Sequence, residues 1–139
     1  MTFFEVKVKY NQTQPDGGCK RVGETYALDA LSFTEAESRI LEHLQGEDEL
    51  ELTHEKIAPY GEVVLNMGAD GRYYLVKYNI ITLDEKSGKE KRHPVQVLFQ
   101  EETLDKAKEA AHRHMGQSMC DYELFSIKET DIVDVLMKE

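Results

Sequence analysis

At 139 residues, with 40% hydrophobic and 32% charged residues, the chain is long enough to bury one cooperative core without a metal or disulfide staple. The formal charge of -10 disfavours indiscriminate attraction to phosphate backbones or anionic lipid, while leaving room for a local basic site. No apolar run approaches the roughly 20 residues needed to span a bilayer, the start Met1-Thr2-Phe3-Phe4-Glu5-Val6-Lys7 is not a basic-then-apolar leader, and two cysteines make no disulfide framework. A cytoplasmic protein with free thiols is expected, outside the membrane.

The first element alternates at period two: Phe4, Val6, Val8 and Tyr10 share one face of a strand and form a core face. Gln14-Pro15-Asp16-Gly17-Gly18 supplies the dihedrals of a turn, and a returning strand runs from about Lys20 to Asp29. Ser32-Phe33-Thr34-Glu35 is a capping box, in which Ser32 accepts from the Glu35 amide and the Glu35 side chain reaches back to the Ser32 amide. The helix it opens carries Phe33, Ala36, Ile40 and Leu44 on one stripe and terminates at Gly46. An alternating segment from Glu49 to Ile57 follows, then Val63-Val64-Leu65, which fits either a strand or a helical turn.

From residue 73 the same succession begins again. Tyr73 to Ile80 overlays Phe3 to Tyr10 at a shift of 70, with Tyr74, Val76, Tyr78 and Ile80 as the core face. Asp84-Glu85-Lys86-Ser87-Gly88 turns the chain into a strand from Lys91 to Gln100. Behind the cap residue Thr103, a shift of 71 carries the first helical stripe to Leu104, Ala107, Ala111 and Met115, with Gly116 beyond. A segment from Tyr122 to Ile127 and the tail Ile132 to Leu136 complete the second copy. Two glycines within 66–71 mark the joint.

The expected fold is α+β: two tandem ββαβ units, 1–66 and 72–139, with mainly antiparallel sheet and two principal helices, packed as one domain. One continuous sheet and two opposed sheets are both compatible with this pattern. The outward residues Tyr73, Leu75 and Ile81 are more apolar than Phe3, Glu5, Lys7 and Lys9, so the second unit is expected to be covered more fully.

No linear motif supports chemistry. His43, His54, His93, His112 and His114 form no zinc pattern, and residues two apart on a helix, such as His112 and His114, point in different directions. No Gly-x-Ser-x-Gly elbow occurs, and the glycines give no phosphate loop. Glu47-Asp48-Glu49 with Glu51 lacks the spacing and central glycine of a calcium loop and reads as solvated. No cofactor or metal is expected. His54, His93, His112 and Cys120 are the first residues to check for an active site assembled only in space.

The most concentrated positive charge is Lys86, Lys89, Lys91 and Arg92 near the second hairpin tip, with Lys77 on the paired strand and His93 adjacent. These residues, with neighbouring tyrosines, are the candidate nucleic-acid contact, diluted by Asp84, Glu85 and Glu90.

Tyr26-Ala27-Leu28-Asp29-Ala30-Leu31-Ser32-Phe33-Thr34-Glu35-Ala36-Glu37, together with Ile81-Thr82-Leu83-Asp84-Glu85-Lys86-Ser87-Gly88, resembles an uncharacterised domain family of Bacteroides-type bacteria and their phages or mobile elements. The resemblance implies a mobile-element setting and supplies no catalytic residue. The leading expectation is a non-enzymatic macromolecule-binding or adaptor protein with a protein partner. The alternative is a nucleic-acid-binding accessory protein of a phage or mobile element, and an enzyme without a linear motif ranks third. An open sheet edge also offers a route to a homodimer.

Overall fold

The computed structural model describes residues 2–69 and 71–138. Asp70, inside the expected joint, lies outside the described residues, as do Met1 and Glu139 at the ends of the expected domain. The elements in chain order are β1 (Thr2–Thr13), β2 (Cys19–Ala30), α1 (Phe33–His43), β3 (Asp48–Ile57), β4 (Glu62–Val64), β5 (Tyr73–Leu83), β6 (Glu90–Gln100), α2 (Leu104–Gly116), β7 (Asp121–Glu129) and β8 (Ile132–Leu136).

The fold is α+β with two separate four-stranded sheets, ordered β3-β1-β2-β8 and β4-β6-β5-β7. Both are mostly antiparallel; β8 joins β2 and β4 joins β6 in parallel. Both tails are thus strands. The chain resolves into two compact units, Met1–Pro59 with Asp131–Glu139, and Tyr60–Thr130. β8 therefore completes the unit that contains β1, and β4 completes the unit that contains β5.

Chain geometry explains why the tails are placed this way. A parallel neighbour needs a long return crossover. Residues 58–61, between β3 and β4, are too few to travel back along a ten-residue strand, as are residues 130–131 between β7 and β8. Neither tail can pair in parallel within the sheet it has just left.

In the unit Met1–Pro59 with Asp131–Glu139, β1 and β2 pair continuously from Thr2↔Ala30 to Thr13↔Cys19. Gly17, at φ +87°, closes the turn between them. The Gly17 amide donates to the Gln14 carbonyl at 3.0 Å, and the Gly18 amide donates to the Asp16 carboxylate at 2.8 Å. Phe4, Val6, Val8 and Tyr10 pack with Tyr26, Leu28, Ala36, Ile40 and Leu44 in one cluster.

Ser32 caps α1 as expected, its Oγ accepting from the Glu35 amide at 3.1 Å. The reciprocal half of the box is displaced by one residue: the Glu35 carboxylate accepts from the Leu31 amide at 3.0 Å, not from Ser32. Phe33 also departs from the buried stripe. It opens the first turn and is 39% exposed, with its ring edge-on to Phe4 at 4.9 Å. Arg39 ties three elements together, donating to the Asp29 carbonyl, to the buried Asp29 carboxylate at 3.4 Å and to the Leu136 carbonyl of β8 at 3.1 Å.

In the unit Tyr60–Thr130, β5 and β6 pair from Tyr73↔Gln100 to Leu83↔Glu90. The core cluster holds Val76, Tyr78, Val97, Phe99, Ala110, Ala111 and Met115, with Ile80 partly buried against it. Thr103 caps α2 by accepting from the Lys106 amide at 3.1 Å. Leu104 stands half exposed at the first turn, while Ala110 is buried beside Ala107 and Ala111. The Tyr78 hydroxyl donates to the Ala111 carbonyl at 2.9 Å, fixing the helix over the sheet.

Tyr73 and Leu75 are buried although they lie on the face of β5 away from α2, as the apolar character of that face implies. Phe3 and Ala27 are buried as well, so the difference between the two units is smaller than the residue pattern of β1 and β5 indicates.

Candidate functional site

The register of the second hairpin divides the candidate nucleic-acid residues between two faces. Tyr78↔Val95, Ile80↔His93 and Thr82↔Lys91 continue the core side of the sheet, whereas Lys77↔Gln96, Asn79↔Pro94 and Ile81↔Arg92 lie on the opposite side. Lys91 and Arg92 are adjacent in sequence and therefore project to different sides. Lys86 and Lys89 stand in the exposed turn between β5 and β6.

Acidic neighbours answer much of this charge. Lys91 lies 3.6 Å from Asp84. Arg92 lies 2.9 Å from Glu123 on β7 and 3.8 Å from Glu90. The Glu123 carboxylate is held below its ordinary value by hydrogen bonds from Asn79 and then Arg92. Asp84 is held low chiefly by the Lys86 amide, with Ser87 and Lys91 adding to it. These are solvent-exposed pairs, screened by water and salt, and they break the positive charge into separate patches.

The histidines and cysteines do not converge either. His93 shares a 3.0 Å contact with Thr82, and His112 a 2.9 Å contact with the Tyr122 hydroxyl. His114 meets Glu62 at 3.1 Å and packs edge-on to Phe99; His43 packs edge-on to Tyr26. Cys19 and Cys120 are both exposed free thiols. Among the described residues, no group of three or more His, Cys, Asp or Glu side chains is placed to hold a metal ion. In the acidic run, Asp48 and Glu49 accept from Asn11 and Glu51 pairs with Arg21 at 2.9 Å.

A different feature lies on β7. The pairing of β5 with β7 slips between Lys77 and Tyr78, which face Ser126 and Leu124, so Phe125 is the extra residue of a β-bulge. Its ring is 70% exposed. With Lys77, Asn79, Pro94 and Gln96 it borders a depression of about 300 Å³ on the side of the sheet away from α2. The Gln96 side-chain oxygen is buried there without a hydrogen-bond partner, a condition that costs roughly 1–3 kcal/mol unless a donor arrives. A bulge is invisible to strict alternation, and Phe125, between Leu124 and Ser126, falls out of the period-two pattern by which a strand face is read.

A depression of about 330 Å³ in the other unit is lined by Glu5, Lys7, Thr25, His54, Glu55, Lys56 and Asp131. Charged side chains dominate its lining, with Lys56 3.7 Å from Glu5, and none of its lining residues is Phe, Tyr or Trp.

Two helices and eight strands in two mostly antiparallel sheets define an α+β protein in which, among the described residues, no helix is long and apolar enough to cross a membrane. The chain belongs to the family described as Domain of unknown function (DUF4494), whose model matches residues 2–138. No curated protein matches it, and no solved structure does.

Proposed function

We propose that this protein is a non-enzymatic macromolecule-binding module that recognises a protein partner through the outer face of the β5-β6-β7 sheet around Phe125. The observation that carries this reading is the 70% exposed Phe125 ring standing on a bulge beside a depression that contains an unpartnered Gln96 oxygen. Exposed aromatics beside small polar pockets are the anchors that dominate protein interfaces. The outer face beside Phe125, which carries Lys77, Asn79, Arg92 and Glu123, mixes both charges and suits a polar protein surface better than a phosphate backbone.

The module is read as a duplicated one, with 1–66 and 72–139 as its copies, working in the cytoplasm and within a mobile element. What supports the duplication is the recurrence of hairpin, capped helix and antiparallel strand, in that order, with a parallel tail strand completing each sheet.

A nucleic-acid partner is the second reading, favoured by the exposed turn lysines Lys86 and Lys89. Fluorescence anisotropy of labelled single- and double-stranded DNA and RNA, titrated at several salt concentrations, separates the two. The protein-binding reading predicts no saturable signal at physiological salt. Saturable binding that weakens with salt, and that disappears when Lys77, Lys86, Lys89, Lys91 and Arg92 are neutralised, would replace it with the nucleic-acid reading.

A further inference from the structure

Four strands end the two sheets: β3 and β8 in one, β4 and β7 in the other. An edge strand exposes unpaired amides and carbonyls and is a template for another strand unless something blunts it. β4 has three residues and β8 has five, so both are blunted by brevity. β3 has ten residues, but Glu55 stands opposite Val6 and so faces the core side, and an inward charge opposes extension of the sheet. β7 has nine residues; its one core-side carboxylate, Glu129, is its last residue and accepts from the Tyr74 hydroxyl at 3.5 Å, while along its middle Leu124 and Ile127 stand opposite Tyr78 and Val76.

The sequence of β7 complements itself. In an antiparallel pairing about a two-fold axis between Phe125 and Ser126, Leu124 faces the partner's Ile127, Glu123 faces the partner's Lys128, and Phe125 faces the partner's Ser126. Each charge contact and each apolar contact occurs twice, as an isologous interface requires.

The bulge makes this register consistent. Tyr122, Leu124, Ile127 and Glu129 all oppose core-side residues of β5, while Glu123, Ser126 and Lys128 oppose Asn79, Lys77 and Leu75 on the other side. In a regular strand, residues 124 and 127 would point to opposite sides, and the same pairing would set a core-side residue against an outward one. The extra residue at Phe125 restores the match. The equivalent pairing of β3 would set Leu52 against the partner's Glu55, an apolar residue against a carboxylate.

We propose that β7 is the edge through which a second copy of this chain adds to the sheet of the unit Tyr60–Thr130, so that two sheets become one eight-stranded sheet across a two-fold axis. This rests on the reading of the β7 side of that unit as a protein-binding surface and names its occupant. The occupant is favoured over an unrelated extended peptide because the charges and apolar residues of β7 match those of β7 itself.

The test is sedimentation velocity of the full chain from low to high micromolar concentration, comparing wild type, Lys128→Glu and the charge-matched control Lys108→Glu. Lys108 is exposed on α2 and Lys128 is exposed on β7, so neither change removes a core contact, and circular dichroism checks that both variants fold. A dimer is expected for wild type and for Lys108→Glu, with Lys128→Glu dimerising roughly tenfold more weakly because two attractive contacts become repulsive. A wild-type monomer throughout would overturn the proposal, as would a dimer equally insensitive to both substitutions. If the chain is monomeric while a photo-crosslinker at position 125 captures a different protein, this proposal fails and the protein-binding reading stands.

Discussion

Two acidic residues, Glu37 on α1 and Glu55 on β3, are neighbours across the helix and the sheet. Hydrogen bonding with the Glu37 side chain, then burial and the like charge of Glu37, hold the Glu55 carboxyl above its ordinary 4.5. A raised acid favours the folded state at pH below the ordinary value, and the advantage is lost as pH rises through the raised one. Glu37→Gln keeps a hydrogen-bonding side chain without the second charge. Denaturant titrations across this range are expected to show the decline with rising pH in wild type and a flatter profile in Glu37→Gln. An unchanged profile would show that the pair does not titrate as described.

Tyr10 and Tyr26 give the alkaline counterpart. Both hydroxyls donate to Glu24, at 2.6 and 3.1 Å. The hydrogen bond to Glu24, followed by burial, raises Tyr10 to about 12, and Tyr26 is raised mainly by burial. A raised phenol stabilises the fold below its ordinary pH of ionisation, and that contribution disappears as pH climbs through the raised value. Glu24→Gln should bring the phenolate absorbance transition of Tyr10 to lower pH, and a transition left in place would remove Glu24 as its cause.

At the scale of the element, the capped helices are the clearest local case. Ser32→Ala and Thr103→Ala each remove an acceptor for a first-turn amide and are expected to cost about 1 kcal/mol in chemical denaturation. Arg39→Ala should cost more, roughly 2–4 kcal/mol, because it leaves the buried Asp29 carboxylate short of a partner and frees the Leu136 carbonyl. Cost no greater than that of a cap would show that Arg39 is not the tie its contacts describe.

These elements also show what the sequence made legible. Alternation over Phe4 to Tyr10 and Tyr74 to Ile80, and the stripes Ala36-Ile40-Leu44 and Ala107-Ala111-Met115, identified the core because burial imposes a period on the chain. The exposure of Phe33 and Leu104 did not follow from that period, since helix spacing does not specify how far the first turn reaches beyond the sheet. The Phe125 bulge was hidden because it breaks the alternation by which strands are recognised. The basic hairpin illustrates the reverse: Lys91 and Arg92 read as neighbours along the chain, yet the pleat separates them and Glu123, distant in sequence, meets Arg92.

For the whole molecule, the decisive fact is that one sheet is completed by the last strand of the chain. Ile132 and Val135 are buried in β8, paired alongside Tyr26 to Leu28 of β2. Deleting residues 131–139 exposes that edge and removes two buried side chains worth about 1.5–3 kcal/mol each. Hydrogen exchange on the truncated chain should show loss of protection concentrated in β2 and α1. Protection in these elements equal to that of the full chain would show that β8 is dispensable.

If the face around Phe125 binds protein, a photoreactive side chain placed there should become covalently joined to that protein on irradiation. A photoreactive residue is placed at position 125 of the full chain, with a control at the exposed Lys20 of β2, and each protein is irradiated alone and in extract of the cells that produce it. A discrete protein adduct, either a second copy or another chain, is expected from position 125 and not from position 20. No adduct from position 125, or adducts at both positions in equal yield, would contradict it.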